Sequence, residues 1–293
     1  MNEMLTTREL SELLRLNEKK VYQLVRDGNV PRVRIAGKWL FPRSHVMRWI
    51  DENVERERDI FFAGSDDVLF SRLLALYSRE NLPEAIAFYA PVGSAGGVEA
   101  LFHGKCQACC VHILDLATGE YNIPYVKSHL GDRQLTVITL WHRKQGIIVR
   151  RGNPLGIRSV RDMAGRNVRF VARNRGSGTK LLADYLFREA GFTEGEYPRE
   201  VAVVDSHMET AMKVFFEEAD CGLGIEYVAR PLGLDFIPLK DERFDLVVPG
   251  GLMSTAPMRR FLNYLEPSSL SRITGNMPGY DVQEAGKIVY SDI

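Results

Sequence analysis

The chain has 293 residues and a mass of 33.2 kDa, which at about 150 residues per domain favours two domains over one. Its 45% hydrophobic and 26% charged residues are near globular averages and exclude a disordered or fibrous chain. The 38 basic and 38 acidic side chains balance overall, but the first fifty residues hold ten basic and five acidic ones. This asymmetry favours contact with a polyanion for the N-terminal part alone.

The N-terminus lacks a basic stretch followed by an apolar one, and no run approaches the roughly eighteen apolar residues of a membrane span. We therefore expect a cytosolic protein that does not enter a membrane. Four cysteines fit a reducing compartment, and we expect them to be thiols packed in and beside a buried strand over residues 107–114. Cys106 and Cys109 form a CxxC pair, but no second pair follows at a zinc-finger spacing, so neither a metal site nor a cofactor is predicted.

The chain begins with a pattern typical of two short helices. Apolar residues at helical spacing follow Thr7, which we expect to cap a first helix that stops near Leu16. Asn17 is expected to cap a second helix, which ends at the turn Asp27-Gly28. Two short helices so close together predict a helix-turn-helix.

A hairpin and a third helix follow. Residues 31–41 predict two short strands around an Ala-Gly-Lys turn, and residues 44–53 predict a helix. The order helix, helix, hairpin, helix is that of a winged helix. Because a helix can reach base edges and wing cations can neutralise phosphates, its polar side chains are candidate DNA-binding residues. They are Lys19, Lys20, Gln23 and Arg26 on the second helix and Arg32, Arg34, Lys38 and Arg43 along the wing.

Residues 4–53 resemble the excisionase-type helix-turn-helix family, which is related to the winged helices of the MerR class. The stretches that carry the resemblance are Leu5-Thr6, Glu9-Leu10, Leu13-Leu14, Val21-Tyr22, Gly28-Asn29-Val30-Pro31, Gly37-Lys38-Trp39 and Phe41-Pro42-Arg43-Ser44. Ser11 departs from the pattern, because Ala is usual there. The resemblance implies binding of double-stranded DNA, and we expect a homodimer because one winged helix contacts only a short half-site.

Residues 51–59 are charged almost throughout and predict the boundary between a DNA-binding domain at 1–55 and a second domain at 58–293. Beyond it, strand, Gly/Ser turn and helix recur. The predicted strands lie at residues 60–63, 85–89, 168–171 and 201–204, and the predicted helices at 68–77, 98–102, 179–190 and 208–216. This succession indicates an α/β domain with parallel strands.

Ligands of such sheets bind beyond the carboxyl ends of the strands, where helix N-termini present free N–H groups. Four of the turns carry a hydroxyl side chain at that position, namely Ser65, Ser94, Ser177 with Thr179, and Ser206. Each serine alone is explained as a helix cap, but their convergence favours an anion site.

The segment from Arg173 to Thr179, Arg-Asn-Arg-Gly-Ser-Gly-Thr, is the most specific motif of the second domain. Its glycines let backbone amides approach a ligand, its hydroxyls donate, and its arginine supplies a bidentate cation. It matches neither the Walker A pattern nor the GxGxxG dinucleotide pattern. A free tetrahedral oxyanion therefore fits better than a nucleotide.

The second domain resembles the cytosolic relatives of type II periplasmic solute-binding proteins, especially the molybdate/tungstate-type domain fused to helix-turn-helix regulators. The matching stretches include Ala63-Gly64-Ser65 with Asp67, Gly93-Ser94-x-Gly96-Gly97, His112-Ile113-Leu114-Asp115, Gln145-Gly146-Ile147-Ile148-Val149, Arg173 to Thr179 and Asp220-Cys221-Gly222-Leu223-Gly224-Ile225. Ala172, Lys180 and Ser206 depart from the family pattern, which expects Asn, Arg and Thr.

The resemblance implies two α/β lobes that close on a ligand, lobe one at 58–145 with 235–293 and lobe two at 146–234, with a crossing strand near 136–149. It also implies the ligand-binding residues. Ser65 and Ser94 would contact the anion from lobe one, and Arg173, Ser177, Gly178, Thr179 and Ser206 from lobe two.

We therefore expect a transcription regulator whose effector is molybdate or tungstate, anions that carry no proton at neutral pH and need only donors. Phosphate, which keeps a proton, would need an acceptor such as Asp66 or Asp67. Phosphate, sulfate and a small organic ligand remain alternative effectors on the same architecture. An enzyme on this fold is a further alternative, but no catalytic motif supports it, so no catalytic residue is assigned.

Overall fold

The computed structural model describes residues 4–26, 30–53, 59–131, 133–164, 167–193 and 196–292. Its contacts divide the chain into two compact units, Met1–Glu57 and Arg58–Ile293. Within the described ranges, no helix is both long enough and apolar enough to cross a membrane.

The first unit contains three helices and a small antiparallel sheet. In chain order its elements are β1 (Met4–Leu5), α1 (Thr7–Leu14), α2 (Glu18–Arg26), β2 (Val33–Ile35), β3 (Lys38–Pro42) and α3 (Arg43–Asn53). The sheet has the order β1-β3-β2, so the hairpin has a third strand beside it that the sequence pattern did not predict. This unit confirms the winged helix-turn-helix architecture. The turn predicted at Asp27-Gly28 lies outside the described residues.

Local capping fixes the helix ends of the first unit. The N-cap of α1 is Thr6 and not Thr7, because Thr6 and Glu9 form a capping box in which each side chain bonds the other's backbone N–H. Asn17 caps α2 as predicted, since its Oδ1 accepts from the backbone N–H of Lys20 at 2.9 Å. The hairpin turns through Ala36 and Gly37, both at positive φ, as a two-residue turn of this kind requires.

The second unit alternates strands and helices. In chain order its elements are β4 (Ile60–Gly64), α4 (Val68–Asn81), β5 (Ala87–Ala90), α5 (Gly93–Phe102), β6 (Ala108–Val111), α6 (Ile123–Leu130), β7 (Leu135–Val149), β8 (Arg169–Arg173), α7 (Gly178–Glu189), β9 (Arg199–Val204), α8 (His207–Phe215), β10 (Cys221–Ile225), α9 (Glu226–Ala229), β11 (Asp235–Pro249), α10 (Gly250–Met253), α11 (Ala256–Leu262), α12 (Pro267–Thr274), β12 (Tyr280–Asp281) and β13 (Ile288–Ser291).

One sheet of order β5-β4-β6-β11-β7-β10-β8-β9 runs through this unit, with β12 and β13 paired to β7. The two long strands β7 and β11 pair antiparallel along their whole length, from Asp235 opposite Val149 to Pro249 opposite Leu135. They join a first half, built on the parallel strands β4, β5 and β6, to a second half, built on β8, β9 and β10. The α/β fold class is confirmed.

Each half has its own buried side chains. Trp141 and Phe244, stacked with ring centroids 5.8 Å apart, belong to the core of the first half. Ile147 and Phe170 belong to the core of the second half. All four cysteines are buried free thiols, two of them in β6, and burial raises the pKa of Cys106 to about 11. The packed-thiol prediction is therefore confirmed for Cys106, Cys109 and Cys110, whereas Cys221 lies in β10.

Candidate functional site

The predicted site residues lie where strands end and helices begin. Ser65 follows β4, Arg173 ends β8, Ser177 immediately precedes α7, and Ser206 immediately precedes α8. The structure differs at the stretch Gly93 to Gly97, predicted as a turn before a helix, because these residues form the first turn and a half of α5. The site therefore includes the first residues of α5, α7 and α8.

Two of the predicted serines are helix caps. The hydroxyl oxygen of Ser177 accepts from the N–H of Lys180 at 3.1 Å, and that of Ser206 accepts from the N–H of Glu209 at 3.0 Å. Ser94 lies inside α5, and its hydroxyl oxygen accepts from the N–H of His112 at 3.1 Å. A hydroxyl that accepts one bond still has its hydrogen to donate.

Ser65 is not the cap of the helix that follows it. Asp67 caps α4, since its Oδ1 accepts from the N–H of Phe70 at 2.7 Å. Ser65 is buried and is held by its backbone, whose N–H donates to the carbonyl of Cys110 at 2.9 Å. A role for the Ser65 side chain stays a prediction.

The two halves of the second unit touch through backbone atoms. The N–H of Ala95 in α5 donates to the carbonyl of Gly176 at 3.2 Å. At Gly178, a Cβ atom would lie 2.3 Å from the carbonyl oxygen of His112, so no larger residue fits this contact. A third link joins the carboxylate of Asp66 to the N–H of His207, 2.9 Å away.

Arg173 is a buried cation without a carboxylate partner. Only 5% of it is exposed, and its Nε and Nη2 donate to the carbonyls of Val204 and Asp205 at 3.3 and 2.8 Å. Its Nη1 has no hydrogen-bond partner, and it forms no ion pair with any residue that the structure describes. Burial lowers the pKa of its guanidinium, which reflects the cost of holding the charge away from water.

A second buried guanidinium, that of Arg143 in β7, is held by two acids. Its Nη1 donates to Oδ2 of Asp67 at 2.6 Å, and its Nε donates to Oε1 of Glu242. Burial alone would raise the pKa of Glu242, but Arg143 and His112 outweigh it and hold that pKa at about 2. Burial raises the pKa of Asp67 more than Arg143 lowers it. Asp67 also accepts from the hydroxyl of Tyr280 at 2.8 Å.

Two histidines complete this buried polar cluster. The Nδ1 atom of His112 lies 3.0 Å from Oε2 of Glu242, and the rings of His112 and His207 are 6.4 Å apart. Burial lowers the pKa of His112, and burial with the nearby charges of Arg173 and Arg143 lowers the pKa of His207 well below its usual value. The ring of His207 is therefore neutral at pH 7, and its Nδ1 has no hydrogen-bond partner among the described residues.

Gln145 connects β7 to the start of α7. Its Nε2 donates to the hydroxyl oxygen of Thr179 at 2.5 Å, while its Oε1 is buried and has no partner in the described part of the chain. Sequence reasoning missed Arg143, Gln145 and Glu242 as site residues. The available signal was a guanidinium and an amide two residues apart in a long predicted strand, and therefore on one face of it.

The predicted ligand residues come together in part. Ser94 and Gly178 both contact His112, and Arg173 and Ser206 meet at the loop after β9, where Arg173 bonds the residue before Ser206. In the described ranges, no group of three or more His, Cys, Asp or Glu side chains could hold a metal ion.

The candidate DNA-binding residues form a separate set in the first unit. All eight are exposed: Lys19, Lys20, Gln23, Arg26, Arg32, Arg34, Lys38 and Arg43. In the wing, the guanidinium carbons of Arg32 and Arg34 lie 5.6 and 5.5 Å from the ring centroid of Trp39. Trp39 thus holds two cations against the outer face of the hairpin.

Known proteins resemble the chain in both units. The chain is 26% identical over 307 residues to the "uncharacterized protein YvgK" of Bacillus subtilis (strain 168), with 97% of each chain covered.

Among solved structures, the fold resembles a substrate-binding protein with bound phosphate from Clostridium perfringens, with a TM-score of 0.54, 14% identity and coverage of 72% of this chain and 94% of that one. It also resembles the tungstate ABC transporter from Geobacter sulfurreducens, with a TM-score of 0.54, 14% identity and coverage of 74% and 98%. The CcmR regulatory domain of Synechocystis PCC6803 in complex with 2-PG has a TM-score of 0.53, 15% identity and coverage of 75% and 98%.

Two family matches agree with these likenesses. Residues 4–54 match a helix-turn-helix domain, and residues 75–266 match the PBP superfamily domain. The second match spans more than half of the chain. The chain therefore belongs to the PBP superfamily and carries a helix-turn-helix domain at its N-terminus.

Proposed function

We propose that the protein is a cytosolic transcription regulator whose second unit binds a tetrahedral oxyanion, molybdate or tungstate, as effector. The helix-turn-helix domain supports DNA binding, and the PBP superfamily domain supports binding of a small molecule. The anion-binding residues of this proposal are Ser65, Ser94, Arg173, Ser177, Gly178, Thr179 and Ser206.

The observation that carries the proposal is the buried guanidinium of Arg173. A buried charge is costly unless it is paired, and the two carbonyls that Arg173 binds do not neutralise it. An anion at its free Nη1 would supply the missing counter-charge through a charge-assisted hydrogen bond. Thr179, in the first turn of α7, lies at the positive end of that helix dipole.

The contact between the halves favours a small ligand. Direct backbone approach at Gly176 and Gly178 fits an anion of a few atoms better than a bulky organic molecule. The CcmR domain, which was solved with 2-PG, makes a small organic anion the alternative effector on the same fold.

The bonds that Asp67 already makes favour an anion without a proton. Both carboxylate oxygens of Asp67 are engaged, Oδ1 by Phe70 and Oδ2 by Arg143 and Tyr280. Asp66 accepts from His207. Asp67 therefore has no unengaged oxygen for a protonated phosphate, whereas the bond from His207 engages only Oδ2 of Asp66. Phosphate remains the second candidate, because Oε1 of Gln145 is an acceptor without a partner in the described ranges.

In the first unit, α2 would enter the major groove of double-stranded DNA and the wing would contact phosphates. The protein would bind as a homodimer, with one half-site for each copy. Regulation requires that the anion bind one arrangement of the two halves more tightly than the other, and that DNA distinguish the same arrangements. Such couplings are typically about 1–3 kcal/mol, so tungstate should change DNA affinity by roughly 5- to 150-fold.

The test is isothermal titration calorimetry of the purified protein with tungstate, molybdate, sulfate and phosphate in a buffer free of other oxyanions. Sub-micromolar binding of tungstate or molybdate without heat from sulfate would support the proposal, at about 8 kcal/mol or more of binding free energy. The absence of binding heat with all four anions would overturn the oxyanion proposal and leave an organic effector. Binding of phosphate alone would support the second candidate.

A further inference from the structure

The long strand β7 carries two buried polar side chains near the start of α7. Arg143 and Gln145 are two residues apart and fully or almost fully buried, while Lys144 between them is half exposed. Side chains two apart on a strand lie on the same face. Arg143 and Gln145 thus share one face at the point where β7 passes from the first half to the second.

Arg143 retains a free donor although two acids hold it. Its Nε and Nη1 bond Glu242 and Asp67, and its Nη2 is buried without a hydrogen-bond partner among the described residues. Two acids already balance its charge, so electrostatics does not explain Nη2. A buried N–H group without a partner is uncommon in folded proteins and costs stability unless a ligand or water satisfies it.

A short chain of contacts connects the guanidinium of Arg143 to that of Arg173. The Nη1 of Arg143 also donates to the carbonyl of Asp66 at 3.1 Å, and the carboxylate of Asp66 accepts from the N–H of His207 at 2.9 Å. Two residues before His207, the carbonyl of Asp205 accepts from Nη2 of Arg173. The two guanidinium groups therefore lie at the same contact between the halves, and the charge of Arg143 acts on Arg173.

Gln145 also lies at this contact between the halves, next to the start of α7. One end of its amide bonds Thr179 and the other end is buried without a partner within the described residues. Nitrogen and oxygen of an amide can exchange places by rotation, and the Thr179 hydroxyl can donate as well as accept. The free end of Gln145 can therefore be a donor to an oxyanion.

We propose that β7 forms the floor of the ligand site, with Nη2 of Arg143 and the terminal amide of Gln145 binding the same oxyanion as Arg173. This inference rests on the proposed function and adds two residues to it. A tetrahedral oxyanion would then be bonded from the first half by Ser94, from the second half by Arg173 and the backbone N–H of Thr179, and from the connecting strand by Arg143 and Gln145. Bonds from three directions suit four oxygens that do not lie in a plane.

The decisive variant is Gln145→Glu, with Gln134→Glu as the matched control, because Gln134 is exposed. Glu is nearly isosteric with Gln and would give Arg173 an internal counter-charge. Tungstate affinity, measured by calorimetry, should fall by about 100-fold, and the Tm of the ligand-free protein should rise because an unpaired buried cation is neutralised. The control should match the wild type in both measurements.

Arg143→Lys is the second variant, because it keeps a positive charge beside Asp67 and Glu242 but lacks Nη2. It should weaken tungstate binding by about tenfold, as expected for one charge-assisted hydrogen bond. The tungstate affinity of Arg143→Lys still tests the inference if Gln145→Glu fails to fold.

The outcomes separate this inference from the function on which it rests. If the wild type binds tungstate and the folded variants bind it equally well, Arg143 and Gln145 do not bind the anion. The proposed function then stands without them. Weaker binding with a lowered ligand-free Tm in Gln145→Glu overturns the inference too, because Gln145 would then act through the fold. A wild type that binds no oxyanion overturns both.

Discussion

The two units use positive charge in opposite ways. The candidate DNA-binding cations of the first unit, such as Lys20 and Arg34, are exposed, and these two form long side-chain hydrogen bonds of 3.4 Å within their own segments. Two cations of the second unit, Arg143 and Arg173, are buried and held in fixed positions by hydrogen bonds of 2.6 to 3.3 Å. The candidate DNA-binding cations are thus solvated, and the candidate anion-binding cations are buried and fixed.

This difference sets what each unit can recognise. Exposed cations attract a polyanion through many interchangeable contacts, and salt screens them over about 8 Å at physiological ionic strength. A buried guanidinium is screened far less and its free N–H has one direction, so it suits one small anion of defined shape. DNA binding by the first unit should therefore depend strongly on salt and tolerate single substitutions. Anion binding by the second unit should depend little on salt and be sensitive to single substitutions.

The largest expected effect is that of Arg173→Ala. Removing the buried cation removes the counter-charge of the anion, so tungstate affinity measured by calorimetry should fall by about 100-fold or more. DNA affinity measured by fluorescence anisotropy without the anion should stay at the wild-type value.

Arg175→Ala is the matched control for this substitution. Arg175 lies two residues further along, in the loop after β8, and is exposed. Wild-type tungstate affinity is expected for this variant. If the affinity of the two variants falls equally, burial is not what distinguishes Arg173, and the contrast between fixed and exposed cations fails for this unit.

The next effect concerns the contact between the halves. In Gly178→Ala the new Cβ would lie 2.3 Å from the carbonyl oxygen of His112, so the halves could not approach as they do in the structure. If ligand binding needs this approach, tungstate affinity should fall by about 30-fold, within the range typical of a conformational coupling. Small-angle scattering should then show no compaction when tungstate is added.

Gly251→Ala is the control for the glycine substitution, because a Cβ there would meet no atom within 4 Å. It should bind tungstate like the wild type. Wild-type affinity in Gly178→Ala would mean that the halves bind the anion without this contact, and the close approach would no longer favour a small ligand.

Most of the fold could be predicted because its signals are local. The strand starting at Ile60 and the helix starting at Val68 follow from runs of apolar residues. The wing follows from the turn at Ala36-Gly37 between two short segments in which apolar and polar residues alternate. The sequence pattern predicts the start of α5 five residues late, because the glycines in Gly93 to Gly97 indicate a turn by their propensity. Packing decides otherwise there, since Gly97 lies against Gly64, where a Cβ would come within 2.5 Å of the Cα atom.

The site was less predictable, because its decisive feature is not local. Arg173 stood out through its Gly/Ser-rich neighbourhood, but nothing in that neighbourhood shows that it is buried or that it lacks an acid. The sequence separation of Arg143 from Asp67 and Glu242 is 76 and 99 residues, so no motif contains the cluster. Only the pairing of β7 with β11 brings Arg143 and Glu242 side by side.

A smaller effect is expected from single substitutions in the first unit. Lys20→Ala or Arg34→Ala should weaken DNA binding by about three- to tenfold and lower the salt slope of log K by about 0.9 for each phosphate that is no longer neutralised. The tungstate isotherm should not change, because these side chains belong to the other unit. Anisotropy titrations at several salt concentrations would measure both quantities.

Arg8→Ala is the control for these substitutions, since Arg8 is an exposed cation of α1 that is paired with Glu12 and lies outside the candidate set. It should change the salt slope less than Lys20→Ala does. Equal slopes for all three variants would mean that the first unit attracts DNA by net charge alone, without α2 or the wing being placed against it.

The smallest expected effect is on stability at mildly acidic pH, where the two kinds of site differ again. The pKa of buried His207 is far below its usual value because burial, Arg173 and Arg143 all oppose a further positive charge. As pH falls below about 6.5, the unfolded chain takes up a proton that the folded chain does not, so the stabilising contribution of the neutral ring is full above that pH and declines below it.

We therefore expect the midpoint of urea unfolding to decrease between pH 7 and pH 5 in the wild type and to decrease less in His207→Gln, which has no ring to protonate. His103→Gln, at an exposed position, should follow the wild-type profile. If His207→Gln also follows that profile, burial and the nearby guanidinium groups do not lower the pKa of this ring in the folded chain. The contrast between the buried cations of the second unit and the exposed cations of the first would then not extend to the titration of their neighbours.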